Sequence, residues 1–393
     1  GPVPRVGGIA MGAGTVLPVA MWLLPDREVV GFLAGLAVIV AFGVWDDRRG
    51  LDYKWKFAGQ IIAVAAVLGY GHVLIRSLPL LYDAGDLPMT VAVPLTFVFI
   101  LGITNAVNLS DGLDGLAGGT TLLSIGAMAI LGYAIDNLMV VLIAVAVVGS
   151  ILGFLRFNTH PARIFMGDGG SQFLGFSAGV LAVLLIQHGS VQISPALPLL
   201  LLALPILDTL MVIWQRVHEG RSPFEADRNH MHHKLLALGF SHYEAVLLIY
   251  VVQAVLVATA YLLRYQSDEM VLAVFAAAFF GLGAGLQLSA ASGWRFIHQD
   301  PPRNGYTQLQ ARIRHLRSAG FPLRLACAAA AVSVVGYLLA VVATSGKVTH
   351  DIGYLALAAG AVMVAHGLRH WDRPASWIDQ GGMYVLGTLA VFM

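Results

Sequence analysis

Three polar side chains follow one another at helical spacing inside a very apolar stretch of the chain. The segment NLSDGLDGLAGG carries Asn108, Asp111 and Asp114 three residues apart, so on a helix they would share one face. A carboxylate close to hydrocarbon is costly and usually marks a functional site. A polar helix cap is the alternative, but it accounts for one Asp and leaves the second Asp and the Asn unexplained. The segment therefore predicts a site for a cation or a polar ligand.

Two further segments place carboxylates at the ends of apolar runs. Asp46 and Asp47 are adjacent, and neighbouring carboxylates repel each other unless a cation or a proton lies between them. Asp168 stands among glycines in FMGDGGS, and glycine lets a metal ion or a phosphate approach the backbone closely. A solvated loop and a plain turn remain the alternatives. Carboxylate oxygens in three segments together predict Mg²⁺, with Mn²⁺ as the alternative.

A later polar segment supplies hydrogen-bond donors. The stretch RSPFEADRNHMHHKL carries Arg221, Arg228, His230, His232 and His233. The His-x-His-His order would suit zinc, but zinc usually takes a further ligand, and the single Cys of the chain lies in an apolar run. Arginine and histidine beside carboxylates are typical of a pyrophosphate clamp. The segment therefore predicts a clamp for a phosphorylated substrate, with a solvated basic loop as the alternative.

The composition identifies an integral membrane protein. Hydrophobic residues make up 58% of the 393-residue chain and charged residues 11%, whereas a soluble domain is about 25% charged. Many apolar runs are long enough to cross a bilayer as helices. They cover 7–24, 29–45, 57–75, 91–107, 115–134, 137–156, 171–187, 194–214, 243–263, 269–290, 323–343 and 352–368, with a partial run from about 380. We therefore predict an all-α, polytopic membrane protein with about 12–13 transmembrane helices.

The basic residues indicate how these helices are oriented. If successive runs alternate direction, most of the 23 Lys and Arg residues fall on one face, which also carries every motif described above. The opposite face receives only Arg27, Arg76, Arg264 and Lys347. Because cytoplasmic loops are enriched in Lys and Arg, we expect the motifs to form a site at the cytoplasmic face.

In combination, these motifs resemble the polyprenyl-phosphate N-acetylhexosamine-1-phosphate transferases, which form glycosyltransferase family 4. The matching segments are PVPRVGGIAM at 2–11, WDD at 45–47, NAVNLSDGLDGLAGG at 105–119, FMGDGGS at 165–171 and SPFEADRNHMHHKL at 222–235. Met231 interrupts the histidines, so the last motif is more similar to the undecaprenyl-phosphate GlcNAc-1-phosphate transferase branch than to phospho-MurNAc-pentapeptide translocase.

The resemblance implies a reaction. A UDP-N-acetylhexosamine, most simply UDP-GlcNAc, would give its sugar 1-phosphate to undecaprenyl phosphate or another polyprenyl phosphate, with release of UMP. This would be the first membrane step of a cell-envelope glycan pathway, such as lipopolysaccharide or cell-wall synthesis. The protein would lie in the bacterial inner membrane, with a homodimer as an open alternative and without a nucleic-acid partner. The peptidoglycan translocase and, further away, a membrane transporter are the alternatives for its function.

The resemblance also implies a role for each motif residue. Asp168 would be the main Mg²⁺ ligand with Asp47 beside it, and Asp46 would deprotonate the lipid phosphate for direct attack. An alternative scheme makes Asp111 a covalent nucleophile; we favour direct attack. The donor would be bound by Asn108, Asp114, Asn158, Phe165, Arg221, Arg228, His230, His232 and His233, with Phe165 stacking on the uracil.

The chain divides into three predicted regions. Residues 1–290 would form the transferase core, 291–322 a basic cytoplasmic loop, and 323–393 extra transmembrane helices without an assigned role. The resemblance further implies one more family helix ahead of residue 1.

Overall fold

The computed structural model describes residues 3–78, 86–187, 193–222 and 229–292. Within these ranges the regular structure is helical, apart from one isolated backbone bridge between Arg5 and Phe165. The helices are α1 Gly7–Trp22, α2 Arg27–Arg49, α3 Tyr53–Gly69, α4 Met89–Ser110, α5 Leu116–Ala134, α6 Leu138–Asn158, α7 Gly167–Gln187, α8 Leu197–Leu201, α9 Ala203–His218, α10 Met231–Ala237, α11 His242–Leu263 and α12 Asp268–Ala291. The all-α prediction is confirmed.

Seven of the described helices are long and apolar enough to cross a membrane, namely α2, α4, α5, α6, α7, α11 and α12. The protein is therefore a multi-pass membrane protein, as predicted. The predicted runs agree with these helices to within a few residues, whereas α1 and α3 are shorter, with 16 and 17 residues. Beyond Ser292, the predicted basic loop and the predicted helices of 323–393 lie outside the described residues.

The predicted span over 194–214 is not one continuous helix. It is divided into α8 and α9, because Pro205 has no N–H with which to bond the carbonyl of Leu201 four residues earlier. Gln253, which is fully buried in α11, replaces that bond: its Nε2 donates to Leu201 O at 2.8 Å. Its Oε1 accepts from Leu204 N at 3.2 Å. One side chain thus satisfies the backbone on both sides of the break, as an apolar surrounding requires.

Helix α7 lies at the centre of the described bundle. Within the apolar stretch of α7, 94% of the residues are buried, whereas in the corresponding stretch of α12 only 6% are buried. Helix α7 packs on α1, α2, α4 and α5. Asp168 lies in the first turn of α7. The helices that pack on α7 therefore bring the ends of the other motif segments close to Asp168.

Glycines allow these helices to approach α7 closely. A Cβ on Gly43 of α2 would overlap the Cα of Gly169, and a Cβ on Gly8 of α1 would lie 2.5 Å from Gly170 N. Small residues at such crossings permit close backbone packing in membrane helices. The crossings are at the same end of α7, next to Asp168.

We expect Gly43→Ala to lower the thermal stability of the protein. The added Cβ would overlap Gly169, and overpacking of this kind costs about 1–3 kcal/mol. The measurement is the midpoint of thermal unfolding in detergent. Gly102→Ala is the matched control, because open space surrounds Gly102 in α4 and alanine favours helix. Equal midpoints for the two variants would contradict the close crossing.

Candidate active site

A lysine joins two of the predicted carboxylates where α2 ends and α7 begins. Lys56 Nζ lies 2.6 Å from Asp46 Oδ2 and 2.6 Å from Asp168 Oδ2. Asp46 is buried, and its other oxygen accepts from Leu51 N at 2.7 Å. The Asp168 side chain is 41% exposed and can reach a ligand. Lys56 was not predicted; its only signal in the sequence is its place in the polar segment after Asp46.

Asp47 faces the first turn of α7. Its carboxylate accepts from Asp168 N at 3.1 Å and from Gly169 N at 3.4 Å. The free N–H groups of a helix N-terminus attract negative charge, so Asp47 caps α7 from a neighbouring helix. Gly167 completes this contact with a φ of 69°, and a Cβ there would overlap the Asp47 carboxylate. Its predicted role beside the metal stays a prediction, since both of its oxygens bond to the α7 backbone.

The acidic loop after α4 lies beside this arrangement. Asn108 Nδ2 donates to Ser171 Oγ at 2.7 Å and ties the end of α4 to α7. Asp111 follows α4 directly and is reached by solvent. The surrounding protein partly desolvates its carboxyl, and the charges of Asp168 and Asp114 act in the same direction, so the pKa of Asp111 is raised above its usual value. The structure thus brings carboxylates from all three acidic motifs to one end of the bundle.

Asn158 and Asp114 connect the acidic loop to the segment after α6. Asn158 is buried; its Oδ1 accepts from Gly115 N at 2.8 Å, and its Nδ2 donates to Ile164 O at 3.0 Å. Asp114 Oδ2 accepts from Ala162 N at 3.0 Å. Both side chains therefore hold loop backbone in place. Whether they also contact a nucleoside stays a prediction.

Phe165 presents a partly exposed ring next to this loop. The residue is 39% exposed, while its backbone is fixed by the N-terminal segment. Phe165 N donates to Pro4 O at 2.9 Å, and Gly7 N donates to Phe165 O at 3.1 Å. A partly exposed ring on a fixed backbone can stack on a flat ligand.

The histidine motif is more buried than a simple clamp requires. His230 Nδ1 lies 2.8 Å from Asp208 Oδ2, and Met231 N donates to Asp208 Oδ1 at 2.6 Å, so Asp208 fixes the start of α10. Both His230 and Asp208 are buried. His233 is only half-buried and remains open to a ligand. The role of Asp208 was not predicted, because an Asp near the end of an apolar run is equally compatible with an ion site.

The basic residues of this motif are only partly described. Arg221 forms an ion pair with Glu219, with Nη1 3.2 Å from Oε2. Arg228 lies outside the described residues. The predicted contacts of both with a phosphorylated substrate stay predictions.

His232 links the histidine motif to the acidic loop. A Cβ on Gly112 would overlap His232 Nε2, so any larger residue there would have to displace this ring. The nitrogen is buried without a hydrogen-bond partner in the described part of the chain. Desolvation, with the neighbouring His233 and His230 rings, lowers the pKa of His232 to about 4. The ring is therefore neutral at physiological pH.

We expect stability to fall as the pH drops from about 6.5 towards about 4. The folded state lowers the pKa of His232, so the unfolded chain takes up the proton first and is favoured at lower pH. The measurement is the thermal unfolding midpoint against pH. His232→Gln should lose less stability over this window, while the exposed His218→Gln should follow wild type. A His232→Gln profile parallel to wild type would contradict the assignment.

Comparison with known proteins agrees with this geometry. Residues 29–186, which include all the acidic motifs, match glycosyl transferase family 4. The chain is 35% identical over 264 residues to the probable undecaprenyl-phosphate N-acetylglucosaminyl 1-phosphate transferase of Bacillus subtilis (strain 168), covering 67% of this chain and 74% of that protein. It is 37% identical over 281 residues to the decaprenyl-phosphate N-acetylglucosaminephosphotransferase of Mycobacterium leprae (strain TN). This match covers 63% of this chain and 70% of that protein.

A further relative has lower sequence identity but matches a larger share of the chain. The undecaprenyl-phosphate alpha-N-acetylglucosaminyl 1-phosphate transferase of Escherichia coli (strain K12) is 28% identical over 293 residues, which cover 72% of this chain and 79% of that protein. The resemblance seen in the motifs is confirmed: the chain belongs to glycosyl transferase family 4 and is a membrane-embedded transferase.

Proposed function

We propose that the protein transfers N-acetylglucosamine 1-phosphate from UDP-N-acetylglucosamine to a polyprenyl phosphate and releases UMP. The names of the relatives support the lipid acceptor and the sugar phosphate. One observation carries the proposal: Lys56 lies between the carboxylates of Asp46 and Asp168 at the N-terminus of α7. Carboxylates for a divalent cation and an ammonium group for phosphate oxygens together suit a diphosphate.

Mg²⁺ is the proposed cofactor, and the donor set fits it. In phosphoryl-transfer sites Mg²⁺ takes one or two carboxylates and keeps its other positions for water and phosphate oxygens. The partly exposed Asp168 would be the principal ligand, with the Asn108 side chain nearby on the adjoining α4. The ammonium of Lys56 neutralises only one of the negative charges of Asp46, Asp47 and Asp168, so the remaining charge still attracts a cation. When bound, Mg²⁺ would neutralise the diphosphate and polarise the reacting phosphorus.

The hydrogen bonds favour a division of roles among the polar groups. Both oxygens of Asp46 are engaged, by Leu51 N and by Lys56, so Asp46 orients Lys56 rather than accepting a proton from the lipid. Lys56 donates to phosphate oxygens. An oxygen of the lipid phosphate attacks the β-phosphorus of the donor; the new P–O bond forms as the bond to the UMP oxygen breaks, and UMP leaves. Because the lipid phosphate is already a nucleophile, a covalent step on Asp111 is unnecessary.

The remaining motif residues would bind the donor around this centre. The open ring of Phe165 stacks on the uracil, and the half-buried His233 reaches the diphosphate. The buried His230 and His232 position His233 rather than contact substrate. We place the site at the cytoplasmic face of the bacterial inner membrane, because the Lys and Arg residues of the chain concentrate there in the predicted topology.

We expect Asp168→Asn to lose turnover by about a hundredfold or more, because it removes a charge that holds the cation and Lys56. Asp47→Asn should lose both turnover and stability, since the amide is a poorer cap for α7. UMP release is measured with UDP-GlcNAc, undecaprenyl phosphate and MgCl2, alongside thermal unfolding. Asp26→Asn serves as control, because Asp26 precedes α2 at its other end. Undiminished UMP release by Asp168→Asn would remove Asp168 from the mechanism.

The identity of the donor is tested with a panel of UDP-sugars. We expect UMP release from UDP-GlcNAc to exceed release from UDP-glucose, which lacks the acetamido group, and from UDP-MurNAc-pentapeptide. Preference for UDP-MurNAc-pentapeptide would move the protein to the peptidoglycan branch. No UMP from any donor, with a folded protein and Mg²⁺ present, would refute the transferase reaction.

A further inference from the structure

A cluster of metal-binding side chains lies beside the acidic loop, formed by Asp114, His160 and His242. The three come from separate segments: the loop after α4, the segment after α6 and the first residue of α11. One carboxylate oxygen and two ring nitrogens all lie within 4.8 Å of one another. In the described part of the chain this is the one group of three His, Cys, Asp or Glu side chains with such spacing. We call it the Asp-His-His triad.

The three side chains already lie in contact, and two of their donor atoms face each other. His160 Nδ1 lies 2.8 Å from Asp114 Oδ2, and His242 Nε2 lies 3.2 Å from the backbone oxygen of Asp114. The two imidazole rings stack with their centroids 4.1 Å apart. Ligands about 2.0–2.1 Å from a tetrahedral zinc ion are separated by about 3.3 Å, so only small side-chain movements are needed to admit an ion.

The triad is held in place and is also accessible. Tyr243 Oη donates to His160 O at 2.7 Å, and its ring meets the His160 ring edge-on at 5.1 Å. Ala162 N donates to Asp114 Oδ2 at 3.0 Å, as partners of ligating carboxylates commonly do. The side chains of His160 and Asp114 are 37% and 18% exposed, so an ion can enter from solvent.

We propose that the Asp-His-His triad binds a divalent transition metal of borderline softness, such as Zn²⁺ or Co²⁺. Two imidazole nitrogens and one carboxylate oxygen match the ligands of zinc sites that keep a fourth position open for water or substrate. The same set is poorly suited to Mg²⁺, which prefers oxygen ligands in octahedral geometry. The triad and the Asp168 site therefore select different ions.

The consequence for activity rests on the proposed function. Asp114 belongs to the residues expected to bind the donor, and an ion on its Oδ2 would compete for that carboxylate. The ion would also tie together three segments around the nucleoside position. We therefore expect Zn²⁺ to inhibit UMP release in the presence of excess Mg²⁺.

The direct test is a Co²⁺ titration of the full chain, purified in detergent with an affinity tag that contains no histidine. We expect one equivalent of Co²⁺ to produce the visible absorption bands of a tetrahedral ion, and Zn²⁺ to abolish them. His242→Gln and His160→Gln should weaken binding by about tenfold or more, since even outer partners of a metal site contribute that much. Should either variant fail to fold, Asp114→Asn keeps the side-chain size and removes the anionic ligand.

Two control variants separate the triad from other histidines. His218→Gln removes an exposed histidine at the end of α9, and His233→Gln alters the His-x-His-His motif. Both should bind Co²⁺ as wild type does. Absence of saturable Co²⁺ binding, or undiminished binding by His242→Gln and His160→Gln, would overturn the proposal, as would loss of binding in His233→Gln alone.

Activity supplies a separate readout. Zn²⁺ should inhibit UMP release by wild type and inhibit His242→Gln about tenfold less strongly. Equal inhibition of both would overturn the inhibitory role. If wild type released no UMP without Zn²⁺, the proposed transferase reaction would fail, while the Co²⁺ titration would still decide whether the triad binds metal.

Discussion

The ion pairs of Lys56 with Asp46 and Asp168 are the interaction on which the site and its surroundings depend. A carboxylate buried at the end of a membrane helix without a partner would be strongly destabilising. Asp46 avoids this with Lys56 on one oxygen and Leu51 N on the other. Asp168 shares the same lysine but keeps an exposed side chain. The bundle therefore brings several carboxylates together, but of the two that pair with Lys56 only Asp168 keeps an exposed side chain that can bind a cation.

The N-terminus of α7 explains why several motifs meet there. Asp47 bonds to its first N–H groups, and Gly43 lets α2 approach closely enough for that contact. Asn108 ties α4 to the same turn through Ser171. The backbone dipole of α7 favours negative charge at its N-terminus, and these helix contacts lie at that same end. Close packing around this turn therefore also determines where the carboxylates lie.

The sequence could predict most of the helices, because runs of apolar residues long enough to cross a bilayer are an unambiguous pattern. It also predicted which carboxylates meet, through the motifs. It could not predict Lys56, since a lysine in a polar loop is ordinarily solvated, and only the fold directs it between two carboxylates. The Asp208–His230 pair and the bond of Gln253 to the break between α8 and α9 were missed because each joins distant segments.

Asp111 connects the acidic site to the Asp-His-His triad. Its pKa is raised because the surrounding protein partly desolvates it and because Asp168 and Asp114 carry negative charge. A cation on either neighbour would remove one of these negative charges and favour the ionised form of Asp111. By linkage, ionised Asp111 would in turn favour a cation at both places. Ionised Asp111 would offset part of the direct repulsion between the two cations, so we expect inhibition by an ion at the triad to come from competition for Asp114.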